Sequence, residues 1–569
     1  MIKNTNLDLL KKNNDAPCFL DEAGYKTLCG GYLLNNETPR QMYKRVAMAA
    51  ASYYHGKEKY YEERFFDIMW KNWFCPSSPI LSNLGTNRGL PISCNSIHCA
   101  DSVSSIFDKV HELAMLSKNG AGVGIYFGDL RGRGKSITEN GNSEGIVPWA
   151  KVFDTTTASI SQGGVRRGSS AIYLPVEHID IDEFINIRRP IGDINRRCLN
   201  INHGICITDQ WMNDMVAGDI NKRKIWEIIL AARYETGEPY LFFTDNVNNA
   251  NPECYKHNNL NISTSNICSE IVLYTDKEHS FVCCLSSMNL LKFDEWKDTD
   301  AVNLAVRFLD AVLEEYIQKT ENKKEFECSR RSAIKGRAIG IGVLGWHTLL
   351  QERNLPMDSF DSMQLNAQIF KNIHTKANEE TAILAKELGE PEWCKGFNRR
   401  NTHLIAIAPT VSNSTISGGY SAGIEPISAN IFTQKSAKGT FIRKNTTLEK
   451  LLTEKNKNTS EIWKSINEQS GSVQHLSFLS DHEKEVFLTA REINQHTLIK
   501  LAAQRQRWID QAQSLNLFFA SNSSAKYIHE VHLSAWKSGL KTLYYLRSDG
   551  VIRGDLASRN EDDCKACEA

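Results

Sequence analysis

The sequence predicts a large mixed α/β protein with a helical region at its N-terminal end, on three observations. The chain has 569 residues, enough for a large core with helical additions. Strand and helix signals alternate after Gly168 to about residue 545, which is typical of a mixed α/β domain. Residues 1–74 carry mainly helix signals, so we predict a helical region there and the main domain over residues 75–548.

Local signals predict several elements in order. Thr38-Pro39-Arg40-Gln41 combines an N-cap, a proline at the first helical position and a capping-box glutamine, so a helix should run to about Tyr54. A helix with one apolar stripe should follow Asp101-Ser102, with Asp101 a candidate N-cap, and stop at Asn119-Gly120. Further predictions are a strand over 120–127, a mobile Gly-, Asn- and Ser-rich loop over 131–145, and helices over 148–161, 300–319 and 485–514.

The composition excludes two classes of protein. Lys plus Arg and Asp plus Glu are both 67, so the chain lacks the basic excess of a duplex-binding protein, and no nucleic-acid partner is expected. No apolar run approaches membrane-spanning length, and the first residues lack the core of a signal peptide. These features favour a cytoplasmic enzyme.

Fifteen cysteines are many for a cytoplasmic protein, where thiols stay reduced. In an extended segment, Asn266, Cys268 and Glu270 would point to one side and bring an amide, a thiol and a carboxylate together. A neighbouring carboxylate raises the pKa of a thiol, which disfavours thiolate catalysis but not neutral hydrogen-atom chemistry at sulfur. On this spacing alone, a buried cysteine beside a solvated glutamate is the commoner arrangement.

Two more cysteines lie in distinctive contexts: Cys94 in Gly89-Leu-Pro-Ile-Ser-Cys-Asn95, and Cys283 in Phe281-Val-Cys-Cys-Leu-Ser-Ser-Met-Asn289. With them, the chain from about residue 75 resembles the large subunit of class I ribonucleotide reductases. The matching motifs occur in the family's order: Ser77-Ser-Pro-Ile80, Ser93-Cys94, Asn266-Ile-Cys-Ser-Glu270, Val282-Cys-Cys-Leu-Ser-Ser-Met-Asn-Leu290, Arg337-Ala-Ile-Gly-Ile-Gly-Val-Leu-Gly345, Ala408-Pro-Thr-Val-Ser-Asn-Ser414, Gly423-Ile-Glu-Pro426 and Ile509-Asp-Gln-Ala-Gln-Ser-Leu-Asn516.

The resemblance implies a ten-stranded α/β barrel of two antiparallel five-stranded halves, with Cys268 on a finger loop inside it. It implies reduction of ribonucleoside diphosphates to deoxyribonucleotides. Cys268 would become the thiyl radical that abstracts the ribose 3′ hydrogen, with Glu270 the base on the 3′ hydroxyl and Asn266 the amide that orients the ribose. Cys94 and Cys283 would reduce the 2′ carbon and close to a disulfide, a cycle that supplies the two electrons needed. Cys284 should face the other side of its strand and be structural.

The last residues, 549–569, are polar and end in Cys564-Lys-Ala-Cys567-Glu-Ala, so we expect a flexible tail. The resemblance implies a redox shuttle that reduces the active-site disulfide and is itself reduced by thioredoxin or glutaredoxin. A lone CxxC is also half of a zinc site, but four-ligand zinc would need a second pair. We therefore expect no metal and no permanently bound cofactor on this chain.

Tyr544 and Tyr545 resemble the tyrosine pair that receives the radical from a separate, metal-containing small subunit. Two adjacent tyrosines in a strand are more often packing residues, and stacking them requires an irregular backbone. A cobalamin-dependent class II reductase would share the three cysteines and the tail but would not need this pair. The sequence also leaves open a non-catalytic nucleotide-binding homologue and a zinc-tailed structural protein.

Nucleotide sites follow from the same resemblance. A diphosphate-binding turn would use Thr410, Ser412, Asn413 and Ser414, with Ser78, Ser93 and Gly122 around the ribose; an ordinary helix cap would have the same residue types. For dNTP or ATP effectors, Asp101 and Arg131 would form the specificity site and Arg166 would relay effector identity. The helices over 102–118 and 148–161 would form a homodimer contact. The stretch before Thr38 leaves no room for an ATP cone, so we predict no dATP activity switch on this chain.

Overall fold

The computed structural model describes residues 6–92, 94–138, 141–162, 166–436 and 439–548. Its strands are β1 Phe74–Pro76, β2 Cys94–His98, β3 Gly122–Tyr126, β4 Ser136–Ile137, β5 Gly141–Asn142, β6 Ser161–Gln162, β7 Arg166–Arg167, β8 Ser169–Pro175, β9 Asn202–Ile207, β10 Tyr240–Phe243, β11 Phe281–Asn289, β12 Ile339–Leu344, β13 Ile431–Ser436, β14 Gly439–Lys444, β15 Leu517–Phe519, β16 Thr542–Leu543 and β17 Leu546–Ser548.

The α-helices are α1 Leu7–Lys12, α2 Glu22–Thr27, α3 Pro39–Ala51, α4 Glu58–Trp70, α5 Ser78–Asn83, α6 Val103–Lys118, α7 Val147–Ser159, α8 Ile181–Ile185, α9 Asp209–Ala217, α10 Ile220–Thr236, α11 Thr244–Asn249, α12 Glu253–His257, α13 Phe293–Trp296, α14 Ala301–Lys319, α15 Glu327–Gly336, α16 Trp346–Glu352, α17 Phe360–Leu388, α18 Val411–Ile416, α19 Thr446–Glu454, α20 Ser460–Glu468, α21 Asp481–Val486, α22 Gln495–Gln506 and α23 Ala525–Lys537. A π-helical turn follows α2 at Leu28–Tyr32, and 3₁₀ turns lie at Ile194–Arg196, Leu290–Lys292, Lys324–Phe326 and Glu392–Cys394.

The main sheet contains two groups of strands that run in opposite directions. β2, β3, β8, β9 and β10 are parallel neighbours and form one five-stranded half. β11 is antiparallel to β2 and parallel to β12, and single parallel bridges continue from β12 through Ile405 and Ile407 to Gln513. The predicted division into two opposed halves of an α/β barrel is confirmed in this arrangement.

Burial explains why the inner strands are so apolar. β8 is buried along almost its whole length and β11 along all of it, as expected for strands covered on both faces. Helices α3 and α4 pack against each other and against α14, which in turn packs on β11 and β12. Phe65 of α4 meets Phe308 of α14 edge to face, with 5.4 Å between ring centroids. The N-terminal helical region therefore shares one hydrophobic core with the barrel.

Several predicted elements are confirmed. α3 begins at Pro39 with the complete capping box of Thr38 and Gln41, although it ends at Ala51, before Tyr54. α6 runs from Val103 to Lys118, β3 lies within 120–127, and α14 occupies 301–319. α7 begins at Val147 and ends at Ser159, two residues before the predicted end. Local capping and periodicity therefore located four of the five predicted helices closely.

Two predictions about helices are wrong. The predicted helix over 485–514 is confirmed only over α22, Gln495–Gln506, which begins where the Asn494 side chain accepts a hydrogen bond from the backbone N–H of His496; the preceding helix α21 already ends at Val486. Asp101 is not the N-cap of α6: Ser102 accepts the capping hydrogen bond from Ser105, and the Asp101 carboxylate is directed to Arg131 instead.

The predicted loop over 131–145 contains a short antiparallel pair, β4 with β5. Its base is fixed because the Asp180 carboxylate accepts hydrogen bonds from the backbone N–H groups of Arg133 and Ile146, each at 2.9 Å. Within the described part of the chain, no helix has the length and apolar character needed to cross a bilayer.

Candidate active site

The segment that carries Cys268 is a turn and not the extended strand predicted from its sequence. Residues 261–266 have no regular structure, 267–269 form a tight turn, and Ser269 has a positive φ of 66°. Alternation along a strand therefore does not explain how Cys268 and Glu270 come together. The turn itself directs both side chains to one cavity, which Asn266 does not line.

Four backbone carbonyls of this turn accept hydrogen bonds from four residues in three other parts of the fold. Tyr173 Oη donates to the Asn266 carbonyl at 2.7 Å, and Ser514 Oγ donates to the Cys268 carbonyl at 2.5 Å. Thr542 Oγ1 donates to the Ser269 carbonyl at 2.8 Å, and the Ala512 backbone N–H donates to the Glu270 carbonyl at 2.9 Å. The approach of the turn to the barrel also requires Gly124, since a Cβ there would lie 1.9 Å from the Ser265 carbonyl oxygen. The Cys268 turn is therefore held at a defined place inside the sheet.

Cys94 and Cys283 are directly opposite each other on the antiparallel strands β2 and β11. Opposite residues of an antiparallel pair have Cα atoms about 4.5–5.5 Å apart, which lies within the range of about 4.4–6.8 Å that a disulfide spans. Both cysteines are in the thiol form in this structure. Cys283 and Cys284 pack into different hydrophobic clusters, which confirms that Cys284 faces away from the site.

One cavity collects most of the predicted residues. Its lining includes Ser78, Cys94, Gly122, Cys268, Glu270, Thr410, Ser412 and Asn413. The Cys94 thiol lies 3.8 Å from Glu270 Oε1. Cys283 and Ser414 lie just behind the described lining, and Ser93 falls outside the described residues. The arrangement gives one small space access to two thiols and a carboxylate, with a third thiol behind it.

The electrostatics at Cys283 favour the neutral thiol. Burial raises the pKa of Cys283 well above its ordinary value, and the neighbouring Cys94 and, more weakly, Glu270 raise it further. A hydrogen bond from Gln511 Nε2 at 3.6 Å acts in the opposite direction and lowers this pKa. At Cys283, the nearby Glu270 carboxylate therefore raises the thiol pKa less than burial does.

The predicted diphosphate turn lies at the start of α18. Thr410 precedes the helix with a φ of 54°, and its Oγ1 accepts a hydrogen bond from the Gly423 backbone N–H at 2.6 Å. The Ser414 hydroxyl is turned inward to the Ser421 carbonyl at 3.2 Å, so it supports the turn from behind. On the other side of the cavity, Ser78 at the start of α5 bonds to Tyr32 Oη at 2.6 Å. Hydroxyl and amide groups thus border the cavity from two helix starts.

Tyr544 and Tyr545 lie in the gap between β16 and β17, so the irregular backbone predicted for them is present. Their ring centroids are 4.4 Å apart, with an angle of 52° between the planes. Tyr240 of β10 contacts both rings, at 4.8 Å and 5.0 Å, and Arg547 lies over the Tyr545 ring at 5.0 Å. Sequence reasoning missed Tyr240, because a tyrosine in a buried strand carries no distinguishing pattern.

The segment 511–516 connects the cysteines to the tyrosines. Gln511 contacts Cys283, Ser514 contacts Cys268 and Glu270, and the Leu515 carbonyl accepts a hydrogen bond from the Tyr544 backbone N–H at 2.9 Å. Asn516 Oδ1 accepts one from the Tyr545 backbone N–H at 3.0 Å. The motif Ile509-Asp-Gln-Ala-Gln-Ser-Leu-Asn516 contributes to the family resemblance, but the sequence alone does not predict these individual contacts.

Asp101 and Arg131 meet outside this cavity. Arg131 Nε donates to Asp101 Oδ2 at 2.7 Å, and both side chains are about one-third exposed. Arg166 belongs to β7, which pairs with β6, and its side chain lies outside the described residues. Cys564 and Cys567 lie outside them as well. Among the residues described, no cluster of three or more His, Cys, Asp or Glu side chains could hold a metal ion.

Comparison with known proteins agrees with this geometry. Residues 18–89 match the model of the ribonucleotide reductase all-alpha domain, and residues 92–219, 213–400 and 394–546 match that of the ribonucleotide reductase barrel domain. The chain is 38% identical over 540 residues to a putative ribonucleoside-diphosphate reductase large subunit of Frog virus 3 (isolate Goorha), covering 91% of this chain and 94% of the relative. It is 34% identical over 629 residues to the ribonucleoside-diphosphate reductase large subunit of Invertebrate iridescent virus 3, covering 96% and 98%.

Among solved structures, the class Id ribonucleotide reductase alpha subunit of Actinobacillus ureae is similar, with a TM-score of 0.87 and 42% identity over 94% of this chain and 98% of that one. The fold and the matched models therefore place the chain among the ribonucleotide reductases. It belongs to the large-subunit family of these oxidoreductases.

Proposed function

We propose that this chain is the catalytic subunit of a class I ribonucleoside-diphosphate reductase and that the cavity at Cys268 is its active site. The observation that carries the proposal is the placement of Cys94 directly opposite Cys283, with Cys268 and Glu270 turned into the cavity that Cys94 lines. The family models, the named relatives and the similar alpha subunit support the activity. The class assignment of this chain also rests on the tyrosine pair.

The reaction divides among the residues in a balanced way. A Cys268 thiyl radical takes the hydrogen atom from C3′, forming its S–H bond, while Glu270 accepts the proton of the 3′ hydroxyl. The 2′ hydroxyl leaves as water, and Cys94 and Cys283 supply two electrons and two protons as their S–S bond forms. Cys268 then returns a hydrogen atom to C3′ and becomes a radical again, and Glu270 returns its proton to the 3′ oxygen. The sum is one ribonucleotide and two thiols converted to one deoxyribonucleotide, one disulfide and one water.

Substrate binding follows from the groups around the cavity. We assign the diphosphate to Thr410, Ser412 and Asn413 at the start of α18, which line the cavity and carry hydroxyl, amide and backbone N–H groups of the kind that bind phosphate oxygens. Ser78 and Gly122 would border the ribose, together with Ser93. Among the described residues, Asn266 Nδ2 is buried without a hydrogen-bond partner, but Asn266 does not line this cavity, so its role in orienting the ribose stays a prediction.

The radical would arrive through Tyr545 and Tyr544 from a radical-generating, metal-containing small subunit. Contacting rings suit short-range transfer, and the segment 513–516 joins the backbone of this pair to the Cys268 turn. A cobalamin-dependent enzyme would leave this ring contact without a role. After each cycle, Cys564 and Cys567 would reduce the disulfide and be reduced by thioredoxin or glutaredoxin.

Regulation would use dNTP or ATP effectors at Asp101 and Arg131. The ion pair between them places a carboxylate suited to a sugar hydroxyl beside a cation suited to a triphosphate. The neighbouring helix α6 exposes Val103 and Phe107, 61% and 52% accessible, and Phe107 packs on Trp149 of α7. This apolar face supports the predicted homodimer. A cytoplasmic location, a relay role for Arg166 and the lack of a dATP activity switch remain predictions.

The test is reduction of radiolabelled CDP by the purified chain with dithiothreitol and an effector, with the radical source as the only variable. Turnover with a candidate small subunit, lost in Tyr544→Phe and Tyr545→Phe, is the expected result. Turnover with adenosylcobalamin alone would contradict the class I assignment. Absence of turnover with either source, in a folded and reduced chain, would contradict the activity itself.

A further inference from the structure

Ser514 has no role in the mechanism above, yet its hydroxyl touches two of the central groups. Ser514 Oγ lies 2.5 Å from the carbonyl oxygen of Cys268 and 3.0 Å from Glu270 Oε2. The side chain is 1% exposed and does not line the cavity. It therefore contacts the turn from behind, on the side away from substrate.

The number of protons available determines which group donates in the contact between Ser514 Oγ and Glu270 Oε2. A serine hydroxyl carries one proton and can donate to only one acceptor at a time. When it donates to the nearer acceptor, the Cys268 carbonyl, the contact with Glu270 Oε2 is a hydrogen bond only if Glu270 carries a proton and donates it. The proton-bearing Glu270 is the state formed when this residue takes the 3′ hydroxyl proton.

We propose that Ser514 is a positioning residue that holds the Cys268 turn and Glu270 in register and stabilises Glu270 after it accepts the 3′ hydroxyl proton. The inference rests on the proposed function, in which Glu270 is the base. The other carboxylate oxygen, Oε1, stays directed to Cys94, 3.8 Å away. Ser514 thus contacts Glu270 Oε2, while Glu270 Oε1 faces Cys94 and the cavity. Hydrogen abstraction at C3′ becomes easier as the 3′ hydroxyl loses its proton, so Ser514 assists the first chemical step.

The inference predicts a specific kinetic change in Ser514→Ala. The kcat for CDP reduction should fall by roughly 10- to 100-fold, because slight misplacement of a reacting group has effects of this size. KM should stay within about twofold, since Ser514 does not line the substrate cavity. The deuterium isotope effect on kcat measured with 3′-deuterated CDP should increase, since C–H cleavage becomes more nearly rate-limiting. Ser514→Thr, which retains the hydroxyl, should restore much of the rate.

Ser329→Ala is the matched control. Ser329 is also fully buried, and its hydroxyl donates to the Phe326 carbonyl at 3.0 Å, at a place outside the cavity lining. This variant should keep the wild-type kcat and isotope effect. A Ser514→Ala enzyme with wild-type kcat, or with a lower kcat and an unchanged isotope effect, would overturn the inference, because a loss of folded enzyme lowers kcat alone.

A second measurement does not depend on turnover. Infrared difference spectra of wild type and Ser514→Ala, with bands assigned by Glu270→Gln, report the hydrogen bonding of the Glu270 carboxyl group. A changed carboxyl band in Ser514→Ala is expected, and an unchanged band would overturn the contact. Failure of wild type to reduce CDP would instead contradict the proposed function, so the two failures are distinguishable.

Discussion

Replacing Gln511 by methionine should slow regeneration of the enzyme without slowing the reduction of substrate. The amide of Gln511 donates from Nε2 to the Ile339 carbonyl at 2.8 Å and to Cys283 Sγ at 3.6 Å. Cys94 lines the cavity, whereas Cys283 lies behind it. A thiolate entering through the cavity therefore attacks the Cys94 sulfur of a Cys94–Cys283 disulfide, and Cys283 leaves as a thiolate. Gln511 is positioned to stabilise that leaving thiolate.

The size of the effect follows from the loss of one hydrogen bond to a charged group. Such a bond contributes about 1.5–3 kcal/mol. In the transition state of thiol–disulfide exchange, the leaving sulfur carries about half of its final negative charge, so about half of this hydrogen-bond energy is lost there. The activation barrier therefore rises by about 0.75–1.5 kcal/mol, which slows reduction of the disulfide by roughly 4- to 12-fold. Burial holds the pKa of Cys283 well above its ordinary value, and among the described side chains that shift this pKa only Gln511 lowers it.

The assay separates the two halves of the cycle. Prereduced chain that carries Cys564→Ser and Cys567→Ser undergoes a single turnover with CDP, and its Cys94–Cys283 disulfide is then reduced by dithiothreitol while disulfide content is followed by mass spectrometry. Gln511→Met should slow only the second step. Gln513→Met is the control, because Gln513 is equally buried but donates to Ala502 and Gln506. Equal reduction rates in wild type and Gln511→Met, or a defect confined to the first turnover, would refute this reasoning.

Three further predictions concern other parts of the chain. Tyr544→Phe and Tyr545→Phe should each abolish CDP reduction with the small subunit. The melting temperature should stay within a few degrees of wild type, because only a phenolic O–H is removed. Residual turnover in either variant would exclude a radical step at that tyrosine. Arg131→Ala should weaken effector binding by about 10-fold or more in calorimetry, since a charge-assisted bond is lost; unchanged affinity would exclude Arg131 as a triphosphate ligand. Asp310→Ala should destabilise the fold by about 3–5 kcal/mol in urea unfolding, because Arg337 loses its buried carboxylate partner at 2.8 Å and keeps only Glu314, and Arg400 loses the same carboxylate.

The Asp310 prediction has a defined pH dependence. Burial alone would raise the pKa of Asp310, but the Arg337 and Arg400 guanidinium groups outweigh it and lower the pKa below its ordinary value. A lowered pKa in the folded state stabilises the fold above the unfolded-state pKa of about 3.9. That contribution is lost as the pH falls through the lower folded value. The difference between wild type and Asp310→Ala should therefore narrow below about pH 4, and a difference that is constant down to pH 2 would contradict it.

The parts of the fold that local sequence encodes were predictable. The Thr38 capping box and the apolar stripe of the helix after Ser102 depend on residues three or four apart, so α3 and α6 were found close to their observed bounds. The irregular backbone at Tyr544 and Tyr545 also followed, since a regular strand separates adjacent side chains.

The candidate site depended on contacts that no local pattern contains. Cys94 faces Cys283 through pairing of strands distant in the sequence, and only the family resemblance anticipated it. The prediction that Asn266, Cys268 and Glu270 share one face of a strand is wrong, because Ser269 adopts a positive φ and the segment turns. Serine rarely adopts a positive φ, so the sequence does not indicate this turn. Gln511 and Ser514 were missed because a buried polar residue in an irregular segment has no periodicity that separates it from its neighbours.

The most direct test of the central claim is the stoichiometry of a single turnover. Prereduced chain that carries Cys564→Ser and Cys567→Ser, so that the tail cannot reduce the active-site disulfide, is loaded with the small subunit and CDP without external reductant and analysed for dCDP and for disulfide-linked peptides. We predict one dCDP for each Cys94–Cys283 disulfide, and neither product when Cys268→Ser is added. Formation of dCDP by Cys268→Ser, or dCDP without that disulfide, would contradict it.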